Sequence, residues 1–96
     1  MIALRLSARA EQDLREIYAY THAHWDRTQA DEYLAEIESG FLALMQFPQA
    51  GRKRDDLRPA LRALVKAHHV IYYVVEAETV DILGVLHERM DPEAVF

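Results

Sequence analysis

The sequence predicts an α+β fold in the order β-α-α-β-β-β, a helical hairpin packed on one face of a small antiparallel sheet. Three observations lead there. Apolar residues recur at steps of three and four through residues 10–45, the period of helices that bury one stripe. After Pro48 the period drops to two and Val, Ile and Tyr dominate, as strands require. The links between those later runs, Ala67-His68 and Glu76-Ala77-Glu78-Thr79, are too short for crossover helices, so the strands must form an antiparallel meander.

Ile2, Leu4 and Leu6 alternate with Ala3 and Arg5, which predicts a short first strand. Ser7 stands where an N-cap belongs, with Glu11 and Asp13 near the positive end of the helix it opens. The stripe of that helix is Ala10, Leu14, Ile17, Tyr18, Thr21 and Trp25. Asp26-Arg27-Thr28 interrupts it, and Thr28-Gln29-Ala30-Asp31 has the form of a capping box with Asp in place of Glu, so a second helix is expected from there. Its stripe runs through Ala30, Tyr33, Leu34, Ile37, Phe41, Leu44 and Met45, and Pro48 forbids continuation. Gly40 costs about 1 kcal/mol in a helix interior, which points to the close approach of a neighbouring backbone. Residues 48–59 have loop composition. Leu61, Ala63 and Val65 then alternate with Arg62, Leu64 and Lys66; Val70–Val75 is apolar throughout and belongs in the centre of the sheet; Val80, Ile82 and Leu86 alternate in the last strand. Asp91-Pro92 ends it, leaving a tail expected to be mobile.

Ninety-six residues, 51% of them hydrophobic, make one domain spanning 1–96 with a small core. The chain has no cysteine, so neither disulfides nor thiolate metal sites can hold it, and a reducing cytoplasm is compatible. The first residues show no basic start followed by an apolar run, so no leader is expected, and no apolar run comes near the ~20 residues that span a bilayer. The expected location is therefore the cytoplasm, with no membrane partner. Charge is unevenly spread. Residues 51–69 carry six Lys or Arg against Asp55 and Asp56, a net +4, so the rest of a chain of net charge −5 must carry −9. Such a division suggests a surface that meets an anionic partner, the alternative being a solvated loop that aids solubility.

His22-Ala23-His24 and His68-His69 do not place two imidazoles on one helix or strand face, so no metal site and no cofactor are expected. Trp25, at the turn between the helices, belongs either to the core stripe or to an exposed contact. His87 reads as a strand-end residue with one hydrogen bond, or as an acid. Arg58 and Arg62 either pair with Asp55, Asp56 or Glu88 or face a partner.

The ordered run Phe47-Pro48-Gln49-Ala50-Gly51-Arg52, Leu57-Arg58-Pro59-Ala60-Leu61-Arg62, His68-His69-Val70-Ile71-Tyr72-Tyr73 and Val85-Leu86-His87-Glu88-Arg89-Met90-Asp91 resembles the ParE branch of the RelE/ParE toxins of bacterial type II toxin–antitoxin systems. The resemblance covers the whole chain. It implies a toxin neutralised by a ribbon-helix-helix, ParD-like antitoxin, which poisons DNA gyrase and touches DNA only through the antitoxin or the gyrase complex. The sister branch implies instead a ribosome-dependent mRNA endoribonuclease. Those ribonucleases carry Arg near the start of the strand matching Val70–Val75 and often Tyr at the end of the last strand; here His69 and Glu88 stand there. Arg62, His69 and His87 would be the catalytic candidates on that alternative. On the binding reading, the partner-contacting candidates are Trp25, Arg52, Arg54, Arg58, Arg62, His87 and Arg89.

Overall fold

The computed structural model describes residues 2–96. Strand β1 (Ala3–Leu6) leads into helices α1 (Ala8–His24) and α2 (Arg27–Gln46), and then come β2 (Arg52–Lys53), β3 (Arg62–Lys66), β4 (His69–Glu76), β5 (Thr79–His87) and a 3-10 turn (Pro92–Ala94). Ser7 caps α1 as expected, its Oγ accepting the Ala10 N–H at 3.0 Å. The cap of α2 is Asp26, whose carboxylate accepts the Gln29 N–H at 2.8 Å, and not Thr28. A carboxylate oxygen on extended backbone is the stronger acceptor, so the helix starts two residues earlier than the box pattern indicated. The two helices form the expected hairpin, tied by the Tyr18 hydroxyl donating to Asp31 at 2.9 Å.

The sheet has five strands in the order β1-β5-β4-β3-β2. Strands β2 to β5 are antiparallel, with β4 central among them, but β1 joins β5 in parallel. The helical hairpin is the long connection that frees β1 to run alongside β5, and the cross-strand pair Arg5–Asp81, in register, holds it through two hydrogen bonds of 2.7 and 3.0 Å. The two-residue β2 lies in the segment whose composition predicts a loop, being too short to show any period.

One face of the sheet packs on the hairpin through Ala10, Ile37, Phe41, Leu44, Ile71, Tyr73, Val80, Ile82 and Val85. Gly40 serves this contact. A Cβ there would lie 2.8 Å from Ile71 Cδ1, so the close neighbour is a side chain of the sheet and not a backbone. The other face carries a second cluster of Leu61, Ala63, Tyr72 and Leu86. Leu86 was expected beside Val80 and Ile82, yet pairing jumps from Tyr73↔Ile82 to Tyr72↔Gly84. The extra residue, Leu83, is a bulge that moves Leu86 to the opposite face. The C-terminal residues, expected as a free tail, turn back so that Val95 and Phe96 pack on this second cluster, with the Phe96 and Tyr72 rings 5.0 Å apart.

Candidate functional site

A groove of about 470 Å³ opens between α1, the turn into α2 and the ends of β4 and β5. Its apolar walls are Ile17, Tyr20, Trp25, Val85 and Met90, and Trp25 is 72% exposed at the mouth. Trp25 therefore leaves the core stripe. Helix α1 ends at His24, so the Trp25 side chain projects from the turn beyond the packed helical face. The floor is polar. His69 and His87 lie directly opposite each other on β4 and β5, ring centroids 5.2 Å apart and edge to face. The Tyr33 hydroxyl, from α2, lies 2.6 Å from His69 Nδ1 and accepts the His68 N–H at 3.1 Å. This joins the hairpin to the β3–β4 turn. Burial, then the neighbouring His87 and His68, lower the His69 pKa to about 4, against the pull of Glu88, so its imidazole is neutral at physiological pH. His87 Nδ1 accepts the Arg89 N–H at 3.1 Å, a strand-end bond.

Asp13, a buried carboxylate inside the α1 stripe, closes the groove from below. It accepts the Val85 N–H at 2.9 Å just past the β5 bulge and lies 3.4 Å from Arg9 Nε. Burial raises its pKa, opposed by the Val85 amide and Arg9. The sequence signal was present in the i, i+4 pair Arg9–Asp13, but a carboxylate on an apolar stripe gives no sign of which distant amide it serves.

The basic segment does not form one patch. Arg52 shares a face with Ala63, on the side away from the helices, and Arg54 lines the same side, bound to Asp56 by two bonds of 3.1 and 3.0 Å. Arg62 points the other way and donates to the carbonyls of Gln49 and Gly51 at 3.3 and 2.8 Å. Neither Arg58 nor Arg62 takes the acidic partners considered for it. Asp55 accepts the Ala60 N–H at 3.0 Å, Asp56 takes Arg54, and Glu88 lies 3.3 Å from His68. Arg58 and Arg89 are exposed in the loop before β3 and just beyond β5.

The ribonuclease candidates are not brought together. His69 and His87 meet, but Arg62 pairs with Tyr73, four rungs along from the Lys66–His69 pair. That is roughly 13 Å at ~3.3 Å per residue. Among the described residues, no three His, Asp or Glu side chains converge where they could hold a metal ion.

Residues 4–92 match the family described as ParE toxin of type II toxin-antitoxin system, parDE. Similar curated proteins include Toxin ParE1 of Mycobacterium tuberculosis, 38% identical over 87 residues that cover 90% of this chain and 89% of the relative. Toxin ParE of Escherichia coli is 37% identical over 92 residues, covering 95% and 89%. A solved structure titled as a chromosomal ParDE TA system from P. aeruginosa superposes with a TM-score of 0.79 over 91% of this chain and 96% of that one, at 21% identity, a likeness of fold.

Proposed function

This chain belongs to the ParE toxin family of type II toxin–antitoxin systems, and from that premise we propose that it acts by binding, poisoning DNA gyrase in the cytoplasm until a ParD-like ribbon-helix-helix antitoxin covers it. The observation that carries the binding reading is the place of Arg62. A nuclease cutting RNA through the 2′-hydroxyl needs a cation against the developing phosphorane charge, next to its acid and base. Here the one arginine among the candidates is held by two backbone carbonyls, four rungs from the histidine pair. Glu88, beside that pair, would repel a phosphate.

The groove is the antitoxin's place. Its walls are apolar, and its mouth holds an exposed Trp25 and Tyr20. The whole chain serves as one folding unit in this role. Two measurements test the reading. On induction, DNA synthesis is expected to stop and the DNA-damage response to rise before translation falls; prompt A-site mRNA cleavage would replace the gyrase reading with the ribonuclease one. Trp25→Ala is expected to keep the circular dichroism of the wild type and to weaken antitoxin binding by about tenfold or more, as interface tryptophans do. Unchanged affinity would remove the groove from the antitoxin interface.

A further inference from the structure

The short β2 leaves β3 half covered. The Arg54 N–H bonds the Leu61 carbonyl at 2.7 Å. Backbone groups of an antiparallel pair alternate in direction, so Leu61, Ala63 and Val65 turn theirs to the β2 side. Pairing ends at Arg52↔Ala63. The next rung of that kind would set Ala50 against Val65, but the Ala50 N–H is turned away to the Phe47 carbonyl at 3.0 Å. Among the described residues no backbone group pairs with the Val65 N–H or C=O on that side, so both face an open edge. Its side chain, 67% exposed, stands beside Val70 on the sheet face away from the helices, over a cavity of about 480 Å³ that Met90 also lines, with Arg52 and Arg54 at its lip.

An uncovered edge next to an exposed β-branched residue is where a strand adds. The flanking Arg52, Lys53 and Lys66 repel a second basic edge, which disfavours pairing with the same edge of another copy, and favour an acidic strand. Nucleic acid suits the surface less well. Tyr72 is sealed at 4% exposure under Phe96 and offers no ring for base stacking. We propose that the open edge of β3 and the adjoining sheet face dock an extended segment of a partner protein that alternates acidic with β-branched residues, added beyond the end of β2. The surface lies on the sheet face opposite the Trp25 groove, and the two meet at Met90, which lines both.

The test is titration of the 15N-labelled full-length protein with a capped peptide of alternating Glu and Val, a Lys–Val counterpart and an oligothymidylate. The Glu–Val peptide is expected to shift the amide resonances of Arg52, Val65 and Val70 and to slow hydrogen exchange at Val65. Arg52→Glu and Val65→Asp, both at exposed positions, are expected to weaken it about tenfold, while Trp25→Ala leaves it unchanged. The proposal is overturned by the absence of these shifts at millimolar peptide, by equal binding of the Lys–Val peptide, or by the oligonucleotide taking this face in place of the peptide. Antitoxin affinity of the same variants is read separately, so failure here does not bear on the groove.

Discussion

The Tyr73 hydroxyl, fully buried, donates to the Pro48 carbonyl at 2.7 Å and accepts the Gly51 N–H at 2.8 Å. Together with Arg62 on the carbonyls of Gln49 and Gly51, it fastens the exit of α2 to the sheet. The Pro48–Gly51 motif is thus a structural lock. A Cβ on Gly51 would lie 2.5 Å from that hydroxyl, which explains the glycine. His69 gives the residue-scale prediction. Folding lowers its pKa from the ordinary 6.5 to about 4, so between those values the unfolded chain binds a proton that the folded protein refuses. Its contribution to stability is full above pH 6.5 and is lost as pH falls towards 4. Urea unfolding at pH 7 and pH 4.5 is expected to show a smaller pH-dependent loss for His69→Gln than for wild type. Equal losses would mean that His69 titrates normally in the folded state.

At the scale of elements, helix starts and tight turns follow local chemistry, and the competition between Asp26 and Thr28 can be measured. Asp26→Ala should lose about 1 kcal/mol by removing the bond to the Gln29 N–H, whereas Thr28→Ala, inside the first turn, should change stability by no more than a few tenths. Denaturant midpoints decide between them, and the reverse ranking would restore the Thr28 cap. The β3–β4 and β4–β5 turns place Ala67 at φ 55° and Ala77 at φ 53°. Both are in the left-handed region, where an alanine is strained and a glycine is not. The sequence marked these links by their length, since they lack the usual Gly or Asn.

At the scale of the molecule, the sheet separates two cores. The hairpin closes the first. The second is closed by Leu57 and by the C-terminal turn that brings Val95 and Phe96 over Tyr72 and Leu86. Asp91 starts that turn, its carboxylate accepting the Glu93 N–H at 3.0 Å. Phe96→Ala is expected to cost about 2–3 kcal/mol, below the loss for a fully buried phenylalanine because Phe96 keeps part of its surface exposed. Thermal melting measures it, and an unchanged midpoint would show that the C-terminal residues are dispensable to the second core. Among the described residues, no helix is long and apolar enough to cross a membrane.

The sequence by itself determined the two helices and every strand but β2, in order, together with the hairpin, the meander β3–β4–β5, the Ser7 cap and the family. These rest on periodicity and capping among residues a few positions apart, where neighbours in sequence are neighbours in space. Only the tertiary structure decided the rest, because the deciding partners are far apart along the chain. Arg5 and Asp81, 76 residues apart, pair across the parallel strands β1 and β5. Tyr33 and His69, 36 apart, build the groove floor, and Gly51 and Tyr73, 22 apart, make the lock. The bulge at Leu83 then reverses the face of every residue after it, and strand alternation sends Arg52 and Arg62 to opposite sides of the sheet. A charge run in one dimension thereby becomes two surfaces with different work, since a one-residue step in a strand reverses the direction of a side chain.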